Sequence, residues 1–117
     1  MKFWLDMPIL AARFVGEVWL LNVSVRFFGS LRALIGKKAE CVKFEDDEIV
    51  TVKKVLKRLS EIYGNDFVEY VFERETGEIR SYLLLLVNGR SITVLGGLET
   101  RLIDGDVLAM LPPVGGG

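Results

Sequence analysis

The sequence predicts an α+β domain: a mixed sheet of four to five strands with one main helix packed on one face. Three observations predict it. Stretches around 23–27, 41–44, 82–87 and 107–111 carry the apolar patterning of short strands. A single stretch of about twelve residues carries a strong helical pattern. Strands precede and follow that helix, so it has one sheet face to cover.

The elements follow in chain order. Val23-Ser24-Val25-Arg26-Phe27 alternates apolar and polar residues, which sets Val23, Val25 and Phe27 toward a core and Phe28 on the other face. Gly29-Ser30 begins a turn, and Leu31 to Ile35 forms a short helical turn ending at Gly36. Cys41-Val42-Lys43-Phe44 reads as a second strand, antiparallel to the first. Thr51 is an N-cap, because its hydroxyl can accept from an orphan helix N–H. Val52, Val55, Leu56, Leu59, Ile62 and Tyr63 then follow the i, i+3, i+4, i+7 spacing, with Lys53, Lys54, Lys57 and Arg58 opposite. Gly64 is placed to stop the helix in a left-handed conformation. Phe67, Val68, Val71 and Phe72 have near-helical spacing, and Glu75-Thr76-Gly77-Glu78 is a turn. Tyr82 to Val87 is almost unbroken apolar sequence, the pattern of a central strand covered on both faces. Asn88-Gly89 is a tight turn, Ser91 to Val94 a short return strand, and Asp104-Gly105-Asp106 a turn into the last strand, Val107 to Leu111.

Composition narrows the function. The chain has 117 residues, room for one modest core. Half of it is hydrophobic and its mean hydropathy is +0.34, which points to a dense core or to apolar surface kept for a partner. The net charge of −1 gives no basic excess to neutralise phosphates, so nucleic-acid binding has no support. There is one cysteine, Cys41, and no histidine. A Cys/His metal site, an iron–sulfur cluster and a Ser-His-Asp triad therefore cannot be built from this chain alone. Cys41 sits in a strand pattern and reads as buried and inert. A lone cysteine fits a reducing compartment, and we expect a cytoplasmic location.

Residues 1–20 read as an N-terminal extension of unknown role, ahead of a domain spanning 21–117. Lys2, Asp6, Arg13 and Glu17 interrupt any bilayer-spanning run, and Asp6 and Arg13 break up the apolar region a signal peptide would need. No membrane partner is expected.

The most informative segment is Pro112-Pro113-Val114-Gly115-Gly116-Gly117. Two prolines stiffen the exit from the last strand. A glycine end without side chains can enter a channel too narrow for other residues and offers a carboxylate for another protein to activate. By itself a terminal glycine pair is a weak motif. Its context is stronger. The string Asp104-Gly105-Asp106-Val107-Leu108-Ala109-Met110-Leu111-Pro112-Pro113-Val114-Gly115-Gly116-Gly117 resembles the C-terminal signature of the small subunit of molybdopterin synthase, a MoaD- and ThiS-type ubiquitin-like sulfur carrier. Val23 to Gly36 is similar to the first strand and turn of that family, and Val87-Asn88-Gly89-Arg90 to its central strand and turn. The resemblance covers about residues 21–117.

The resemblance implies a β-grasp, ubiquitin-like fold. It implies that an E1-like enzyme adenylates Gly117, beside Gly116, using ATP, and that sulfur transfer makes a thiocarboxylate there. The larger synthase subunit would then receive the tail, and sulfur would pass to a pterin precursor. The chain would be a carrier and co-substrate rather than an enzyme, with no cofactor or metal of its own. Partner contacts are expected from Phe28, Ile92 and Leu111 as a docking patch, from Arg32 at a basic position of the family, and from Pro112, Pro113, Val114 and Gly115. Two other uses of the same tail stay open. One is a sulfur carrier for thiazole or tRNA thiolation. The other is a protein modifier joined through Gly117 to lysines.

Overall fold

A computed structural model of the protein describes residues 14–15, 18–45 and 48–113. Its strands are β1 (Phe14–Val15), β2 (Val18–Phe27), β3 (Ala39–Glu45), β4 (Leu84–Val87), β5 (Arg90–Ser91) and β6 (Val107–Leu111). Its α-helices are α1 (Gly29–Ile35), α2 (Val52–Tyr63) and α3 (Asn65–Val71). The sheet runs β1-β2-β6-β4-β5, and β3 pairs with the other side of β2. β2 and β6 are parallel, while β2–β3, β4–β6 and β4–β5 are antiparallel. This is the expected mixed sheet with one long helix.

The core lies between one sheet face and α2. Val23, Val25 and Phe27 point into it from β2, Val42 and Phe44 from β3, and Leu108 and Met110 from β6. From α2 come Val52, Val55, Leu56 and Leu59, one stripe at helical spacing. Thr51 caps this helix as expected, its hydroxyl accepting from the Lys54 N–H at 3.2 Å. Ile62 departs from expectation and is 49% exposed, because it lies at the margin of that stripe.

Four local expectations are corrected. β2 starts at Val18 and is preceded by β1, so the sheet reaches into the stretch read as an extension. The apolar run from Val18 to Leu21 simply continues the strand. Gly64 has φ 82° and ψ −155°, a positive-φ conformation but not the left-handed helical one. It turns the chain directly into α3. The β4 run is not covered on both faces: Leu85 and Val87 are buried, but Leu84 is 44% exposed. Finally, the return strand stops at Ser91. The Ser91 hydroxyl accepts from the Thr93 N–H at 3.2 Å and turns Ile92–Val94 into a 3-10 helix.

Candidate functional site at the root of the glycine tail

β6 is the last strand before the glycine tail, and three contacts fix its position. Phe27 pairs with Met110, Leu84 pairs with Leu111, and the Phe28 N–H donates to the Met110 carbonyl at 3.2 Å. At its start, the Asp104-Gly105-Asp106 turn ties three elements together. Asp104 Oδ1 accepts from the Asn22 N–H at 2.8 Å, and the Gly105 N–H donates to the Asn22 carbonyl at 2.8 Å. Asp106 Oδ1 accepts from Asn88 Nδ2 at 2.9 Å, and Asn88 Oδ1 accepts from the Val107 N–H at 2.9 Å. The short acceptor side chains of Asp and Asn suit this bridging of turn backbone. The motif thus sets the register of β6 between β2 and β4. The sequence showed a turn there, but not the strands it joins.

At the other end of β6, Pro112 is buried and Pro113 exposed. Pro112 packs on Gly29, where an added Cβ would stand 3.0 Å from the Pro112 Cγ. Val114, Gly115, Gly116 and Gly117 lie outside the described residues.

Beside this root the uncovered sheet face is apolar. Alternation on β6 buries Leu108 and Met110 and turns Val107, Ala109 and Leu111 to the other side, where they are half-buried. The register sets Leu84 against Leu111 and Leu86 against Ala109. One step beyond the Phe27–Met110 pair, Phe28 comes alongside Leu111, and it is 39% exposed. Phe28 and Leu111, both expected in the docking patch, are thus brought together. Ile92 is not. It is 8% exposed and packs in the core, because the 3-10 turn rolls it inward. Leu84 and Leu86 take its place on the face. An unbroken run of leucines carries no parity signal, so only pairing with β6 distinguishes them. Arg32 is exposed on α1.

Cys41 corrects another expectation. It is exposed, because it pairs with Ser24 on the uncovered face. Of the helix cations, Arg58 lies 4.5 Å above the Phe44 ring and Lys54 pairs with Glu48. Asp46 and Asp47, which precede Glu48 in the sequence, lie outside the described residues. No group of three or more His, Cys, Asp or Glu among the described residues could hold a metal ion. Nor is any helix among them long and apolar enough to cross a membrane. The most perturbed titratable pair lies away from the tail root. Tyr63 donates to Glu40 Oε1 at 2.5 Å, and Lys37 bonds the same carboxylate at 2.7 Å. These bonds hold the Glu40 carboxyl below its ordinary value, Lys37 contributing most. Burial, with Glu40 beside it, pushes the Tyr63 phenol up.

The model of the ThiS family matches residues 25–117, from inside β2 through the tail. The chain belongs to the ThiS family. ThiS-family sulfur carriers are small, non-catalytic, ubiquitin-like proteins, and the fold is the β-grasp of that family. Small archaeal modifier protein 3 of Haloferax volcanii is 34% identical over 97 residues, covering 83% of this chain and all of the relative. A protein of Archaeoglobus fulgidus named as a sulfur carrier is 38% identical over 72 residues, covering 62% of this chain and 80% of its own length. Among solved structures, a Pyrococcus furiosus protein named as subunit 1 of a molybdopterin converting factor superposes with a TM-score of 0.61. It is 27% identical and covers 80% of this chain and 99% of that one.

Proposed function

We propose that this ThiS-family protein carries sulfur as a thiocarboxylate on Gly117 for the synthesis of molybdopterin. An E1-like enzyme joins the Gly117 carboxylate to the α-phosphate of ATP, releasing pyrophosphate. A sulfide-equivalent donor then displaces AMP, leaving the thiocarboxylate. The larger synthase subunit accepts the tail, and sulfur passes to the pterin precursor. Phe28, Leu84, Leu86 and Leu111 form the surface on which partners dock, and Arg32 adds a charge for a partner carboxylate. Pro112, Pro113, Val114 and Gly115 lead Gly116 and Gly117 into the partner's channel. All of this takes place in the cytoplasm.

One observation carries the reading: the strand that leads into the tail is anchored at both ends and flanked by an exposed apolar face. The body offers a fixed root and a docking surface, which is what a carrier needs. The likeness to the Pyrococcus furiosus protein and the Pro-Pro-Val segment support the pterin route over thiazole or tRNA thiolation. Intact mass spectrometry tests it, after incubation with an E1-like enzyme, ATP and a sulfur donor. The expected product has one terminal oxygen replaced by sulfur. An unchanged mass, under conditions that convert a control carrier, rejects it.

The likeness to small archaeal modifier protein 3 favours a second reading, in which Gly117 forms isopeptide bonds with lysines. Tagged chain recovered from cells under denaturing conditions separates the two. A ladder of conjugates supports the modifier, and free chain alone supports the carrier.

A further inference from the structure

Arg26 stands among the residues proposed above as the docking surface. The buried side chains of β2 are Leu21, Val23, Val25 and Phe27. Alternation therefore turns Arg26 to the uncovered face, on the same side as Phe28, and both are exposed. Register places Arg26 between Ala39 of β3 and Ala109 of β6, and Ala109 pairs in turn with Leu86. The flanking alanines are too short to cover its side chain. From strand spacing and rise, Phe28, Leu84, Leu86 and Leu111 all lie within about 12 Å of Arg26 at Cα. Of the residues that β2, β4 and β6 turn to this face, Arg26 alone is charged. Its guanidinium has no ion pair or hydrogen bond among the described residues. The carboxylates of β3 are elsewhere: Glu40 is bonded to Lys37 and Tyr63, and Glu45 pairs with Leu20, toward the start of β2.

Covering this face without answering its charge is costly. A guanidinium taken out of water unpaired opposes association, whereas a carboxylate that meets it with both oxygens makes a strong and oriented contact. We propose that Arg26 takes a carboxylate of the E1-like activating enzyme, an aspartate or glutamate set in an apolar patch that covers Phe28, Leu84, Leu86 and Leu111. The inference rests on the docking surface proposed above. The activating enzyme is the partner that the carrier and modifier readings share, since each begins with activation of the Gly117 carboxylate. Two guanidinium N–H groups donate to the two carboxylate oxygens, which fixes the orientation of the body on the enzyme. The same group rejects a partner surface that is basic at this point. Arg26 thus acts as a specificity residue, apart from the chemistry at Gly117.

Binding kinetics of the full chain on the E1-like enzyme test the pair, with circular dichroism confirming that each variant is folded. Arg26→Glu should weaken binding by about tenfold or more, Arg26→Gln by less, and Arg26→Lys least, because the amine keeps the charge but loses the fork. The loss in Arg26→Gln should fall on the dissociation rate, as for a pair buried on docking. A change confined to the association rate marks long-range steering and overturns the proposal. Leu84→Asp separates this inference from the reading beneath it. If Leu84→Asp weakens binding and Arg26→Glu does not, the ion pair is overturned and the docking surface stands. If neither weakens binding, the surface itself is rejected and the pair with it. Cross-linking identifies the partner group. A water-soluble carbodiimide joins the amine introduced by Arg26→Lys to an adjacent carboxylate as an amide, and the carbodiimide takes up the water as its urea. The expected product is a linked peptide that carries an aspartate or glutamate of the enzyme. A link to Gly117 of the same chain, or none to the enzyme, overturns the proposal.

Discussion

Gly29 stands so close to Pro112 that a Cβ on it would approach the proline Cγ to 3.0 Å. Gly29 also holds φ at +57°. The first residue of α1 and the first residue after β6 are thus locked together at the root of the tail. Gly29→Ala should destabilise the fold by about 1–2 kcal/mol from the left-handed backbone alone. The proline ring must also shift. Urea denaturation reads the first effect. Slower adenylation by an E1-like enzyme, measured where the variant is fully folded, reads the second. A variant with native stability would show that the contact relaxes freely.

The exposed and buried members of the expected patch should respond in opposite ways. Leu84→Asp changes a side chain on the uncovered face, so the thermal midpoint should stay close to native while partner binding falls about tenfold or more. Ile92→Asp places a charge in the core and should unfold much of the protein at ordinary temperature. Calorimetry paired with a binding titration checks both. Equal loss of stability in the two variants would contradict the assignment of faces.

The Lys37–Glu40–Tyr63 cluster sets a pH dependence. The Glu40 carboxyl lies below its ordinary 4.5, through Lys37 first and Tyr63 second. Its stabilisation is therefore full above about pH 4.5 and is lost as pH falls through the lowered value. Tyr63 works in the opposite sense. Its phenol is raised above 10.0, by burial first and then by Glu40, so its contribution is full below that pH and is lost as pH rises beyond it. Glu40→Gln should flatten the acid limb of the stability profile and reduce the alkaline one. Urea midpoints across the pH range read both limbs.

The N-cap of α2 offers a clean local test. Thr51→Ala removes the acceptor of the Lys54 N–H and should cost about 1 kcal/mol. Thr51→Ser should restore most of it, since the hydroxyl is what accepts. Chemical denaturation of the three proteins gives the comparison.

Sequence spacing made legible those features whose cause is local. Thr51 and the stripe from Val52 to Leu59 defined α2 because a helix repeats within a few residues. Val23, Val25 and Phe27 defined a core face because a strand alternates. The Asp104-Gly105-Asp106 turn and the Pro-Pro-Val-Gly signature gave the family because each is a short contiguous motif, legible without any distant contact. Ile92 and Cys41 were misplaced for the opposite reason. The inward roll of Ile92 depends on one bond from the Ser91 hydroxyl to a backbone N–H. The exposure of Cys41 depends on its pairing with Ser24.

By itself the sequence determined that the chain is an α+β protein of the sulfur-carrier and modifier type, without histidine, with one long helix and a run of glycines after the last strand. These follow from periodicity, composition and motif, which need no knowledge of distant contacts. Only the tertiary structure decided which side of the leucine run faces outward. The same holds for Phe28 lying beside Leu111 and for Gly29 holding Pro112. Each of these relations joins residues far apart in the chain, and strand register, set by long-range hydrogen bonds, is the physical quantity that brings them together.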